Sequence, residues 1–195
     1  MKNDNKAWSN LMPSSAFIRV YLRRICLFLL AFSLPAFAAP PLPDLVNKEF
    51  PGLKELGEGR LRFMMIHVYD SSVWTSSPTA YTPNDIFALE IRYAIGIKGN
   101  ALTQRSLKEI RGQGYADEAK LRRWEAEMDR VFPELKIGDR LVGVNVPGKA
   151  ARFYSQEKFL GAIEDPEFAR AFFGIWLDEK TSEPALRAKM LKLSN

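Results

Sequence analysis

Two residue types that carry much of enzyme chemistry are almost missing: the chain has one cysteine, Cys26, and one histidine, His67. A zinc or copper site of the usual kind draws several ligands from Cys and His, so no metal is expected. Ser-His-Asp or Cys-His catalysis needs a positioned base. His67 lies between Ile66 and Val68 in an apolar run and reads instead as a satisfied core histidine. Gly57-Glu58-Gly59 is not continued by a third glycine, and no other stretch forms a phosphate-binding loop, so nucleotide cofactors are not expected either. No motif assigns a catalytic residue.

Excess charge of one sign is also missing once the N-terminus is set apart. The formal net charge is +5, but residues 1–38 hold Lys2, Lys6, Arg19, Arg23 and Arg24 against Asp4 alone. The remainder is close to neutral, which excludes the nucleic-acid partner that a basic chain would suggest. The same segment reads as a secretory signal peptide. Arg19, Arg23 and Arg24 supply the positive flank, Ile25 to Leu34 the apolar stretch, Pro35 a break, and Ala36-Phe37-Ala38 a small-x-small cleavage site. Cleavage is expected after Ala38, since a cut after Ala39 would leave Pro40 at the new terminus. Met12 offers a second start with the same product. Ile25 to Ala39 falls short of the roughly 20 apolar residues a spanning helix requires, so no stable membrane anchor is expected after cleavage. The expected address is the periplasm. Cys26 leaves with the leader, so the exported domain must be held by its core without a disulfide.

The rest is patterned for one domain. Adjacent prolines in Pro40-Pro41-Leu42-Pro43 predict an extended tether over 39–49, with the domain occupying 50–195. Arg60 to Tyr69 is apolar on both alternating faces, which predicts a central strand. Leu61, Phe63, Met65, His67 and Tyr69 then share one face and Arg60, Arg62, Met64, Ile66 and Val68 the other. Ile86 to Ile95 predicts a second strand, with Phe87, Leu89, Ile91 and Tyr93 opposed to Ala88, Glu90, Arg92 and Ala94. Helices are predicted over Leu102–Arg111 and Asp117–Val131, the latter with Asp117 as N-cap and a stripe of Leu121, Trp124, Met128 and Val131. Short strands follow at Arg140–Val146, Ala151–Tyr154 and Phe159–Ile163. Asp165-Pro166-Glu167 opens a further helix, and a last one starts around Ser182. The order ββααβββαα describes an α+β domain, an antiparallel sheet packed by helices on one face.

Within this pattern Arg60 and Arg62 stand out, because a guanidinium beside Met64 and Ile66 needs solvent or an anion for its donors. Either they lie at an exposed strand end, or one holds the acidic group of an otherwise apolar ligand. Lys120, Arg122 and Arg123 share a helix with Glu118, Glu125 and Glu127 and read as a solvated mixed face. Glu90 and Arg92 are placed to pair.

Several blocks resemble the bacterial, exported chalcone isomerase-like proteins: Gly59-Arg60-Leu61-Arg62-Phe63, His67-Val68-Tyr69, Ile97-Lys98-Gly99, Gly138-Asp139-Arg140 and, above all, Asp165 to Leu177 with Ser182-Glu183-Pro184. The resemblance spans about Phe50 to Leu193. It implies an open-faced β-sandwich like that of the plant chalcone isomerases and their fatty-acid-binding relatives, with helices on one side of the sheet and a ligand cleft on the other. It puts Met64 where the plant enzymes keep a cleft threonine, so Arg60 and Arg62 would share the cleft face. Ser182 would be a hydroxyl lining the cleft or a helix cap. Met64 has no hydroxyl, and Ile97 to Arg105 holds no tyrosine where the enzymes place a catalytic one, so the electrostatic site for cyclisation is not matched.

The resemblance thus implies a non-catalytic protein binding a small apolar or amphipathic molecule, fatty-acid-like or an aromatic acid. Arg60, Arg62, Met64, Tyr69, Tyr93 and Ser182 would contact it. Two alternatives stand beside this reading: an isomerase of the intramolecular-lyase type, and an envelope interaction protein whose cleft its own side chains fill. No motif encodes the oligomeric state.

Overall fold

The signal peptide, its cleavage site and Cys26 lie outside the residues described by the computed structural model, which are 41–193. Six strands, β1 (Lys54–Phe63), β2 (Ile66–Thr75), β3 (Phe87–Tyr93), β4 (Arg140–Val146), β5 (Ala150–Tyr154) and β6 (Phe159–Ile163), form one sheet in sequence order. Every neighbouring pair is antiparallel, and β1 and β6 are left as edges of an open sheet. The helices are α1 (Asp44–Glu49), α2 (Gly99–Gly112), α3 (Glu118–Val131), α4 (Pro166–Leu177) and α5 (Pro184–Met190).

One face of the sheet meets α2 to α5. Phe87, Leu89, Ile91 and Tyr93, the apolar set of the β3 alternation, join the stripe Leu121, Trp124, Met128 and Val131 of α3 and most of α4 in the main core. Aromatic edges interlock there: Phe153 meets Phe172 at 5.1 Å between ring centroids and Phe132 at 5.2 Å. The caps follow the sequence signals. Asp117 accepts from the Lys120 backbone N–H, and Asp165, ahead of Pro166, accepts from those of Glu167 and Phe168. Asp165 also takes a 2.8 Å bond from Trp124 Nε1, tying α4 to α3. Gly57 of β1 is packed so closely on α5 that a Cβ there would stand 2.7 Å from the Met190 carbonyl oxygen.

The main helical layer lies on that one face of an open antiparallel sheet, as expected; the other face carries a smaller cover, built from the segment expected to be an extended tether. The segment read as a tether places Leu42 and, on α1, Val46 against Trp74, Ala88, Val142, Val144 and Tyr154 in a second, smaller core. Two prolines set the chain's direction but do not prevent the next residues from closing a turn, and Leu42 and Val46 supply the apolar contact. Tyr154 Oη donates to Glu49 at 2.6 Å, and Arg140 Nη2 donates to the Pro41 carbonyl at 2.8 Å, which holds the segment down.

Arg60 to Tyr69 is not one strand. It is the tip of the β1–β2 hairpin, with Phe63 paired to Ile66 and a two-residue loop of Met64 and Met65 at φ 46° and 71°. Both central residues at positive φ define a turn that Asn-Gly would favour. Two methionines there carry none of the usual turn signals, so the alternation ran unbroken through the reversal.

Candidate functional site

The hairpin reverses the chain between Arg62 and His67, so the two faces of the supposed single strand are redistributed. Gly57, Gly59 and Leu61 of β1 face the helices, while Arg60 and Arg62 face away from them. Arg60 lies at the surface and donates from Nε to Asp70 Oδ1 at 2.6 Å. Arg62 is exposed, and Met64 stands 82% exposed at the tip. None of the three lines the apolar hollow of the described residues, which corrects the expectation for Arg60, Arg62 and Met64. His67 is half-buried; its Nε2 lies 3.3 Å from Asp70 Oδ1 but outside hydrogen-bonding geometry, so it is not the satisfied core histidine expected.

The hollow itself lies between the sheet and the helices, not on the far face, because α1 and the second core already occupy that face. It has a volume of about 290 Å³, near the lower end of the roughly 300–1,000 Å³ usual for ligand pockets. Leu61 and Phe63 of β1, Val68 and Tyr69 of β2, and Tyr93 of β3 form its sheet wall; Leu102 of α2 and Trp176 of α4 close the other side. A shift in the β1–β2 register between Leu61 and Arg62 leaves Val68 as an extra residue, so that Val68 and Tyr69 both turn toward the pocket.

Three residues expected at a site do meet here: Tyr69, Tyr93 and Ser182. The tyrosine rings are 6.1 Å apart, edge to face. Trp176 Nε1 donates to Tyr69 Oη at 2.8 Å, which fixes the ring and leaves the phenolic proton available to another acceptor. Burial pushes the Tyr69 phenol up to about 12, against the opposing effect of the Trp176 bond. Burial raises Tyr93 too, and the nearby Tyr69 adds to it; its hydroxyl makes no hydrogen bond among the described residues. Both are therefore neutral donors rather than bases at ordinary pH. Ser182 is not a helix cap: Glu183 holds the N-cap position of α5 without a side-chain bond.

The cation of this pocket comes from a helix. Arg105 of α2, 59% exposed at the rim, pairs with Glu109 one turn along at 2.7 Å, and Glu183 stands on the opposite lip. Sequence reasoning passed over Arg105 because an arginine four residues before a glutamate is the ordinary signature of a solvated helix face. Its only distinguishing signal was its place at the end of the segment already marked, Ile97 to Arg105.

No histidine or cysteine lines the pocket, and among the described residues no cluster of His, Cys, Asp or Glu is placed to hold a metal ion. A wider concavity of about 470 Å³ at the other end of the sheet is lined by Tyr81, Asn145, Arg170, Asp178 and Arg187 among others, and is much more polar.

A family model described as chalcone isomerase-like matches residues 44–192. Among solved structures, a fatty-acid binding protein of Arabidopsis thaliana shares the fold, with a TM-score of 0.56 and 12% sequence identity over 72% of this chain and 87% of that one. No curated protein matches in sequence.

Proposed function

The chain belongs to the chalcone isomerase-like family, and we propose that it is a binding member of it, taking a small, largely apolar molecule into the sheet–helix pocket without transforming it. The observation that supports this most is the lining itself: apolar and aromatic walls, two neutral phenols, and no nucleophile paired with a base. The apolar body of a fatty-acid-like or aromatic acid would lie against Leu61, Val68, Leu102 and Trp176, with Tyr93 Oη as hydrogen-bond donor. Its carboxylate would reach Arg105 at the rim, drawing that guanidinium from Glu109.

Arg105 replaces Arg60 and Arg62 in this reading, and Met64 drops out of it. The leader adds the periplasm as the place of action, tested by whether fractionation recovers a product beginning at Ala39.

Mass spectrometry of the natively purified protein should reveal bound acyl or aromatic acids, and a fluorescent fatty acid should be displaced by them. Arg105→Ala is expected to weaken the acid about 10-fold, the low end for a charge-assisted bond because the site is half-open, and its methyl ester hardly at all. Equal losses would remove Arg105 from the site; no binding of either would remove the proposal. A chalcone mixed with the protein should keep its absorbance, whereas decay faster than in buffer would assign the pocket to an intramolecular lyase.

A further inference from the structure

The exposed tip of the β1–β2 hairpin is the most unusual surface of the described residues. Phe63, Met64, Met65 and Ile66 are 65%, 82%, 88% and 58% exposed, four consecutive large apolar side chains in water. They sit on a turn whose two central residues hold positive φ without being glycine or asparagine, a conformation that would cost less with either of those. Neither feature helps the fold. Apolar patches kept in water mark surfaces that meet something apolar.

We propose that this tip is a lipid-docking lip for the pocket: it inserts shallowly into a bilayer surface, so that an apolar ligand passes between membrane and pocket along Phe63. Continuity between the two features is direct, since Phe63 belongs both to the tip and to the pocket wall. Charge fits as well. From Gly59 to Tyr69 the chain has Arg60, Arg62 and His67 and no acidic residue, and Arg62 has no ion pair among the described residues. Cations just behind an apolar edge match the headgroup layer of an anionic membrane.

A protein partner fits less well, because a specific interface takes about 800 Å² from each side, far more than a two-residue turn and its flanks present. A second copy docked tip to tip would bring Arg62 against its own counterpart. The inference rests on the pocket reading above for its purpose, but not for its test.

The experiment is co-sedimentation of the purified chain with vesicles of phosphatidylcholine alone and with phosphatidylglycerol added, comparing wild type with the double variant Met64→Asn, Met65→Gly. That variant installs the favoured turn, so it should fold, and whatever residues 1–40 contribute is common to both proteins. Partition onto anionic vesicles should fall at least 10-fold in the variant. Arg62→Ala should lower it about five-fold on anionic vesicles and leave neutral ones unchanged, about 1 kcal/mol per cation at the surface. Affinity for a fluorescent fatty acid without vesicles should stay within two-fold of wild type, while transfer of that probe out of vesicles slows.

Equal partition of wild type and double variant overturns the proposal, as does a tip-dependent dimer formed without lipid. Tip-dependent sedimentation by a protein that takes up no probe would uphold the docking surface and discard the ligand reading.

Discussion

The carboxylate of Glu90 is fully buried on the face of the sheet opposite the pocket, and what surrounds it fixes the cost of disturbing it. Arg140 donates to Oε1 at 2.5 Å, Ser72 to Oε2 at 3.3 Å, and Arg92 stands 3.9 Å away. The expected Glu90–Arg92 partnership is thus the weaker of two; Arg140, diagonal to Glu90 on β4 and directly across from Arg92, holds the closer place. Replacing Glu90 by leucine leaves Arg140, nearly buried itself, without its counter-ion, and breaking one side of a buried pair costs about 3–5 kcal/mol.

At roughly 2–4 °C per kcal/mol for a domain of this size, the midpoint of thermal unfolding should drop by about 6–20 °C, read by far-ultraviolet circular dichroism. Adding Arg140→Met removes the orphaned cation and should restore most of that loss. The unrecovered part, about 1 kcal/mol, is the Arg140 bond to the Pro41 carbonyl. It should appear as faster amide exchange at Val46 and Asn47, whose N–H groups donate to the Pro43 carbonyl at the start of α1. A loss below 1 kcal/mol for Glu90→Leu, or a double variant as unstable as the sum of the singles, would refute the reasoning.

Two further predictions concern pH. Burial acts to raise the Asp165 carboxyl, but the bonds from Trp124, Phe168 and Glu167 outweigh it and hold it below the usual carboxylate range. Its stabilisation is present above about pH 4 and fades as pH falls through the depressed value. Asp165→Asn should cost about 0.5–2 kcal/mol at neutral pH through the cap and flatten the acid limb of a urea-unfolding series; an unchanged acid limb would exclude the role. At the other end, Tyr69 stays protonated in the fold until about pH 12, whereas an unfolded tyrosine ionises near 10. Stability should decline as pH rises across that interval, less steeply in Tyr69→Phe, and ultraviolet difference titration should find the phenol still neutral at pH 11.

Much of the fold was legible because its signals are local. Asp117 and Asp165 cap the helices their positions announced, and β4 and β6 span the predicted residues, since a cap or an alternation needs only neighbours in sequence. The site was half legible for the same reason. Tyr69 and Tyr93 belong to the apolar alternation of their strands, which pointed them inward whichever way the chain was read. Arg60 and Arg62 keep the face their alternation gave them, but the hollow lies on the other one, and Met64 stands in a tight turn written in methionine; counting by twos across that turn exchanged the faces of Ile66 and His67 until the extra residue Val68 restored the count at Tyr69. Leu42 and Val46 were missed because their contact is with strands far along the chain, a relation no local pattern carries.

The side on which the pocket lies follows from how the sheet divides its charges. Glu58, Arg60, Asp70, Glu90, Arg92 and Arg140 gather on the face away from α2 to α5, where they pair among themselves beside the small second core. That segregation leaves the helix-side face of β1, β2 and β3 almost free of formal charge where they meet α2 and α4. An apolar hollow can persist there, its tyrosines can stay neutral, and its few ionised groups, Arg105, Glu109 and Glu183, stand where α2 and the start of α5 reach its rim. A cleft on the opposite face would have opened among paired ions and required either their exposure or their loss. With no acidic residue from Gly59 to Tyr69, the network also ends short of the hairpin tip, so the one edge of the pocket without a carboxylate is the edge that carries Phe63.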